Sequence, residues 1–146
     1  MRQTIAAGLV LAAFLTGAAG ASAQGVSVAP PPLDVLDGTV LAADCGNMFG
    51  LAGNAFCVTA PLAGMETASR AYVEHQKTQG WLVAEDNERH VVFVRRKDGG
   101  DCEMMQMLAY YDRSKPAAAD TPGYLAFSLI PGGGCRAESP VSAPAQ

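Results

Sequence analysis

The sequence predicts an α+β domain, with one main helix packed on a four-stranded antiparallel meander and two disulfides as staples. Three observations carry that prediction. A stretch of helical period spans Leu62–Lys77 and stops at Gly80-Trp81. Apolar segments of strand length then follow one another to Ile130, separated by turn-forming residues. Four cysteines lie behind an N-terminal segment that reads as an export signal.

Residues 1–23 have the three parts of a secretory signal. Arg2 supplies the positive start, Ile5–Leu15 an uncharged apolar run of 11 residues, and Ala21-Ser22-Ala23 a small-x-small cleavage site. The stretch is rich in Ala and Gly and lacks a basic stop-transfer flank, which argues against a retained membrane anchor. Cleavage leaves the 123 residues from Gln24 to Gln146, enough for one domain. Net charge is −4 for the whole chain and −5 without Arg2. A mildly acidic chain with one short basic run, Arg95-Arg96-Lys97, is a poor match to nucleic acid. The expected location is the periplasm or the extracellular medium, with no stable membrane insertion once the signal is cut.

Residues 24–40 contain Pro30-Pro31-Pro32 and read as an extended linker running into a domain over 41–136. Cys45–Cys57 encloses a Gly-rich stretch unsuited to a long helix, hence a compact loop. Its Met48, Phe49, Leu51 and Phe56 are the expected insertions into the core. Thr59 and Pro61 mark the start of the helix, which opens between Pro61 and Glu66. Leu62, Met65, Ser69, Tyr72, Val73 and Gln76 share one stripe, while Glu66, Arg70, Glu74 and Lys77 face water. Gly80 fits a left-handed C′ position, with Trp81 as the apolar residue beyond it.

Strands are expected over Trp81–Glu85, His90–Arg96, Cys102–Tyr111 and Tyr124–Ile130. Asp86-Asn87-Glu88 and Asp98-Gly99-Gly100 supply the first two turns, and a longer Pro-containing loop the third. In such a meander the start of the third strand lies beside the end of the fourth. Cys102 therefore pairs with Cys135, which leaves Cys45 for Cys57. Ala137–Gln146 reads as a disordered tail.

No motif carries catalysis. HExxH and G-x-S-x-G are absent from the sequence, and oxidised cysteines leave no thiol nucleophile. The cysteine spacing lacks a zinc knuckle, and no cofactor is implied. Met104, Met105 and Met107 form the least usual local composition. Thioethers bind Cu(I), so Met105, Met107 and His90, with Met48, are the residues a copper or small-ligand carrier would use. Methionine also fills irregular cores, and that is the preferred reading.

The strands are apolar on both faces, and one helix covers only one of them. The second face is covered either by the Val35–Phe56 region or by a partner, and Tyr110, Tyr111 and Tyr124 are the natural rim of an interface. The expectation is an exported, non-enzymatic small domain. It acts through protein–protein contacts in the cell envelope, as an inhibitor or an assembly module.

Overall fold

The helix runs from Met65 to Thr78 (α1) in the computed structural model, which describes residues 28–132 and Cys135. The signal segment 1–23 and the tail 137–146 lie outside the described residues. A single 3₁₀ turn, Leu62–Gly64, leads into α1 without a side-chain cap. The free N–H groups at this start are satisfied from elsewhere: Leu62 N donates to Thr121 O at 2.9 Å and Ala63 N to Ala119 O at 3.0 Å. Ala68, Tyr72 and Gln76 form the buried line of the helix, and Met65, Ser69 and Val73 are half-buried beside it. Glu66, Arg70, Glu74 and Lys77 are exposed, with Arg70 bonded to Glu66 and Lys77 to Glu74. The helix ends in a Schellman motif: Trp81 N donates to Gln76 O and Gly80 N to Lys77 O, both at 3.1 Å. Gly80 has φ +83°, a conformation that costs an L side chain about 1–2 kcal/mol. Trp81 is thereby turned into the core.

Among the described residues the sheet has six strands where four were expected. They are β1 (Val40–Leu41), β2 (Phe56–Pro61), β3 (Leu82–Asn87), β4 (His90–Arg96), β5 (Cys102–Tyr111) and β6 (Pro122–Ile130). Their order is β1-β2-β6-β5-β4-β3, antiparallel throughout. The expected meander is β3–β6. The correction is at its far side, where β2 lies along β6 and β1 along β2. The β3–β4 turn also sits later than expected, at Glu88-Arg89, because Asn87 Oδ1 accepts from Arg89 N (3.3 Å) and His90 N (3.1 Å).

Register fixes two faces. On the helix side, Phe93 lies opposite Met105 and Val91 opposite Met107, and these continue to Leu129 and Phe127. Together with Tyr72, Trp81, Val58 and Leu125 they make the main core. Gly123 allows the close approach of the helix start, since a Cβ there would sit 2.6 Å from Met65 Cγ. The proline-rich segment is docked rather than hanging free. Leu33 and Leu36 pack on this core, Tyr72 Oη donates to Asp34 O and accepts from Leu36 N, and both bonds are 3.1 Å.

On the second face, Ala42, Cys45, Ala55, Cys57 and Ala126 form a smaller cluster with Leu51, Tyr110 and Tyr124 packed against it. The Cys45–Cys57 loop thus covers one end of that face. Toward the other end, Leu82 is 68% exposed, and Val94, Met104, Leu108 and Ile130 are half-buried. Cys45 pairs with Cys57 and Cys102 with Cys135. Met104 lies opposite Ile130, so the chain leaving β6 passes beside Cys102.

Candidate interaction cleft

A cleft of about 700 Å³ opens where β4 starts later than β5 ends. His90, the first residue of β4, lies opposite Leu108, and Ala109 N donates to Arg89 O at 2.8 Å. Beyond that point Tyr110 and Tyr111 pair only with β6, through Tyr124 and Gly123. The notch therefore collects side chains from both faces of β5. Met48, Phe49, Leu108, Tyr110 and Tyr111 give it an apolar, aromatic lining. Leu62 and Met65 from the helix start and Ala109 add to this lining, and Arg89, from the β3–β4 turn, and Arg113, from the loop after β5, bring charge to it.

Its outer wall is the Cys45–Cys57 loop, whose backbone is unusual. Cys45, Gly46 and Asn47 are consecutive left-handed residues (φ 52°, 66° and 56°), and Phe49 and Gly50 are left-handed too (φ 55° and 63°). Each such non-glycine residue costs roughly 1–2 kcal/mol, so surrounding contacts must hold the loop. Asp44 supplies two of them, accepting from Gly46 N at 3.1 Å and from Asn47 Nδ2 at 3.0 Å. Tyr110 Oη supplies another by donating to Cys45 O at 3.0 Å, and the disulfide closes the loop. A Cβ on Gly46 would meet the Tyr124 ring at 2.7 Å, so only glycine fits there.

Phe49 corrects a sequence expectation. The sequence places it in the core, yet it is 71% exposed: its backbone is left-handed and its ring stands roughly perpendicular to that of Tyr110, 5.2 Å between centroids. Leu51 packs on the smaller cluster and Phe56 on the main core, while Met48 is half-buried beside Gly46.

The three tyrosines named from sequence have different positions. Tyr110 and Tyr111 line the cleft, and Tyr124 stacks behind Tyr110 at 5.5 Å without lining it. Burial pushes the Tyr110 phenol up to about 12, with Tyr124 and Asp44 adding to the effect. It is a fixed hydrogen-bond donor at neutral pH. Asp112, at the base of the next loop, is held below the usual carboxylate range by hydrogen bonds from Ser114.

The methionines and histidine named as metal ligands are not brought together. Met105 and Met107 point into the main core and are buried. His90 lies on the other face, its Nε2 3.2 Å from Gln106 Oε1, in a row that continues to Ser128 Oγ. Among the described residues, no three of His, Cys, Asp or Glu converge as a metal site would require. In the basic run, Arg95 lies over the Trp81 ring at 4.3 Å and bonds Glu103 at 2.8 Å.

Arg89, Arg113 and the outward setting of Phe49 had no sequence signature. A lone arginine in a turn resembles any surface residue, and only the β4–β5 pairing places both on one cleft. The fold and cleft define a helix-on-sheet, disulfide-braced domain with an aromatic notch. No protein-family model, curated protein or solved structure matches this chain.

Proposed function

We propose that this chain is an exported, non-enzymatic domain that acts by protein–protein contact, in the periplasm or outside the cell, and meets its partner at the cleft. One observation carries the reading: a large, exposed aromatic, Phe49, stands over an apolar notch on a loop held rigid by a disulfide and three hydrogen bonds. Rigid aromatic anchors beside a pocket are the usual carriers of binding energy at interfaces.

The signal-like start and the two disulfides support export. Among the described residues no helix is long and apolar enough to cross a membrane. Between the two roles left open by sequence, the backbone at Phe49 favours an assembly or accessory contact. A substrate-like inhibitor lays an extended strand in its target, and a left-handed residue at the contact point interrupts one. The alternative, a copper carrier built on Met105, Met107 and His90, would require two core thioethers to leave their packing and cross to the other sheet face.

The test is native mass spectrometry of the tagged chain purified from its own cells without reducing agent, alongside Phe49→Ala and Tyr111→Ala. A stoichiometric associated chain on the wild type, lost from both variants, is the expected result. A bare monomer in all three, or a monomer carrying copper, would overturn the reading.

A further inference from the structure

We infer that the cleft reads a carboxylate beside a bulky apolar side chain, so that its partner is a protein segment in which an apolar residue is flanked by Asp, Glu or a free C-terminus. This rests on the contact reading above and adds the chemistry of what is bound.

Charge carries the inference. The chain is acidic overall, with a net charge of −4, yet among the described residues the charged side chains lining this cleft are both arginines, Arg89 and Arg113. Both are exposed, and neither forms an ion pair among the described residues, whereas Arg70 and Arg95 are paired. The acid next to Arg113 is occupied elsewhere: Asp112 accepts from Ser114 N at 2.9 Å and Ser114 Oγ at 2.7 Å, with Lys115 Nζ 4.0 Å away. On the hairpin that carries Arg89, Glu85 faces the His90 ring at 3.9 Å. Two unpaired guanidinium forks around an aromatic lining suit a planar carboxylate attached to an apolar body.

Backbone geometry adds a third element. Ala109 N points to Arg89 O, and Tyr111, two residues along the strand, turns the same side of its backbone toward the notch. A peptide entering there has main-chain groups to pair with, as in strand addition to a sheet edge. An anionic membrane surface has the same headgroup charge but fits worse. Asp86 and Glu88, exposed on the hairpin that carries Arg89, would face an extended anionic surface, whereas they do not line the cleft that a single carboxylate would enter.

The experiment is selection of a random peptide display library on the oxidised mature chain at low salt, followed by fluorescence anisotropy with the fluorescein-labelled winners. Selected peptides are expected to place an acidic residue within two positions of Phe, Leu, Ile or Trp. Arg89→Gln and Arg113→Gln each weaken binding by about two- to five-fold, an effect that shrinks in 0.5 M salt. Phe49→Ala weakens it by about tenfold or more. Arg96→Gln removes the same charge from the far end of β4, about 20 Å away, and leaves affinity unchanged.

Apolar winners without acidic enrichment, insensitive to both arginine variants, would overturn this inference and leave the contact reading standing. No selected peptide, with Phe49-dependent binding to phosphatidylglycerol vesicles instead, would replace it with a lipid surface. Binding to neither would overturn both.

Discussion

Gln76 offers the sharpest energetic test of the fold. Its side chain is fully buried on the inner line of α1, and neither Oε1 nor Nε2 has a hydrogen-bond partner among the described residues. A buried polar group left unsatisfied costs about 1–3 kcal/mol. Gln76→Met keeps length and volume and removes the amide, and the two residues have nearly equal helix propensity. Stability should therefore rise by at least about 1 kcal/mol, which for a domain of this size moves Tm upward by about 4 °C or more. Urea unfolding of the oxidised protein followed by far-UV circular dichroism measures it, with an unchanged m-value as the check that the native state is the same. A loss of 1 kcal/mol or more in Gln76→Met would refute the reasoning. It would mean that the amide is bonded in solution, by residues outside 28–132 or by a ligand.

Other perturbations test separate parts of the account. Gly123→Ala puts a methyl 2.6 Å from Met65 Cγ and should destabilise by about 1–3 kcal/mol in the same urea assay, through forced movement of the helix start. Met105→Leu with Met107→Leu should cost less than about 1.5 kcal/mol per site and leave copper uptake, read by metal analysis of the purified protein, unchanged. Removing the short bridge, as Cys45→Ala with Cys57→Ala, should cost about 3 kcal/mol on loop entropy and broaden the Phe49 ring resonances as the loop loosens. Two pH effects follow from the shifted groups. Glu103 is held low chiefly by its hydrogen bond from Arg95, so its contribution is complete above the ordinary glutamate range and is lost as pH falls through its depressed native value. Tyr110 is raised, so its contribution is complete below the ordinary phenol value near 10 and is lost as pH climbs toward about 12. Thermal melts at pH 3 to 11 should lose Tm at both ends, and Glu103→Gln should remove much of the acid-side slope.

The helix was legible because its polar positions 66, 70, 74 and 77 repeat at helical spacing and Gly80-Trp81 announces a Schellman end. The β4 and β5 spans were legible because each holds an apolar-rich stretch, Val91–Val94 and Met104–Tyr111, between turn residues. What was missed follows from length and ambiguity. β1 is two residues long, too short to show any period. In β2, Phe56–Pro61, a short alternation around Val58 competes with Thr59 and Pro61, which also read as a helix start. Losing β2 hid the partner of β6, and with it the reason the sheet extends past the meander. For the cleft, the tyrosines stand out in sequence as candidate interface residues beside the Pro-containing loop, and two of them, Tyr110 and Tyr111, line it. An aromatic residue in a Gly-rich loop reads as a core anchor, and nothing in sequence marks the left-handed backbone found at Phe49. Arg89 and Arg113 lie 24 positions apart and come to line one cleft only because β4 and β5 pair.

The contact site itself is tested most directly by photocrosslinking in intact cells. Phe49→p-benzoylphenylalanine places a reactive ring over the cleft, and Thr78→p-benzoylphenylalanine places the same ring at the exposed end of α1. Irradiation should give one discrete higher-mass species from position 49, suppressed by Arg89→Gln with Arg113→Gln, and none from position 78. Equal yields from both positions, or no adduct from position 49, would contradict a partner seated at the Phe49–Tyr111 notch.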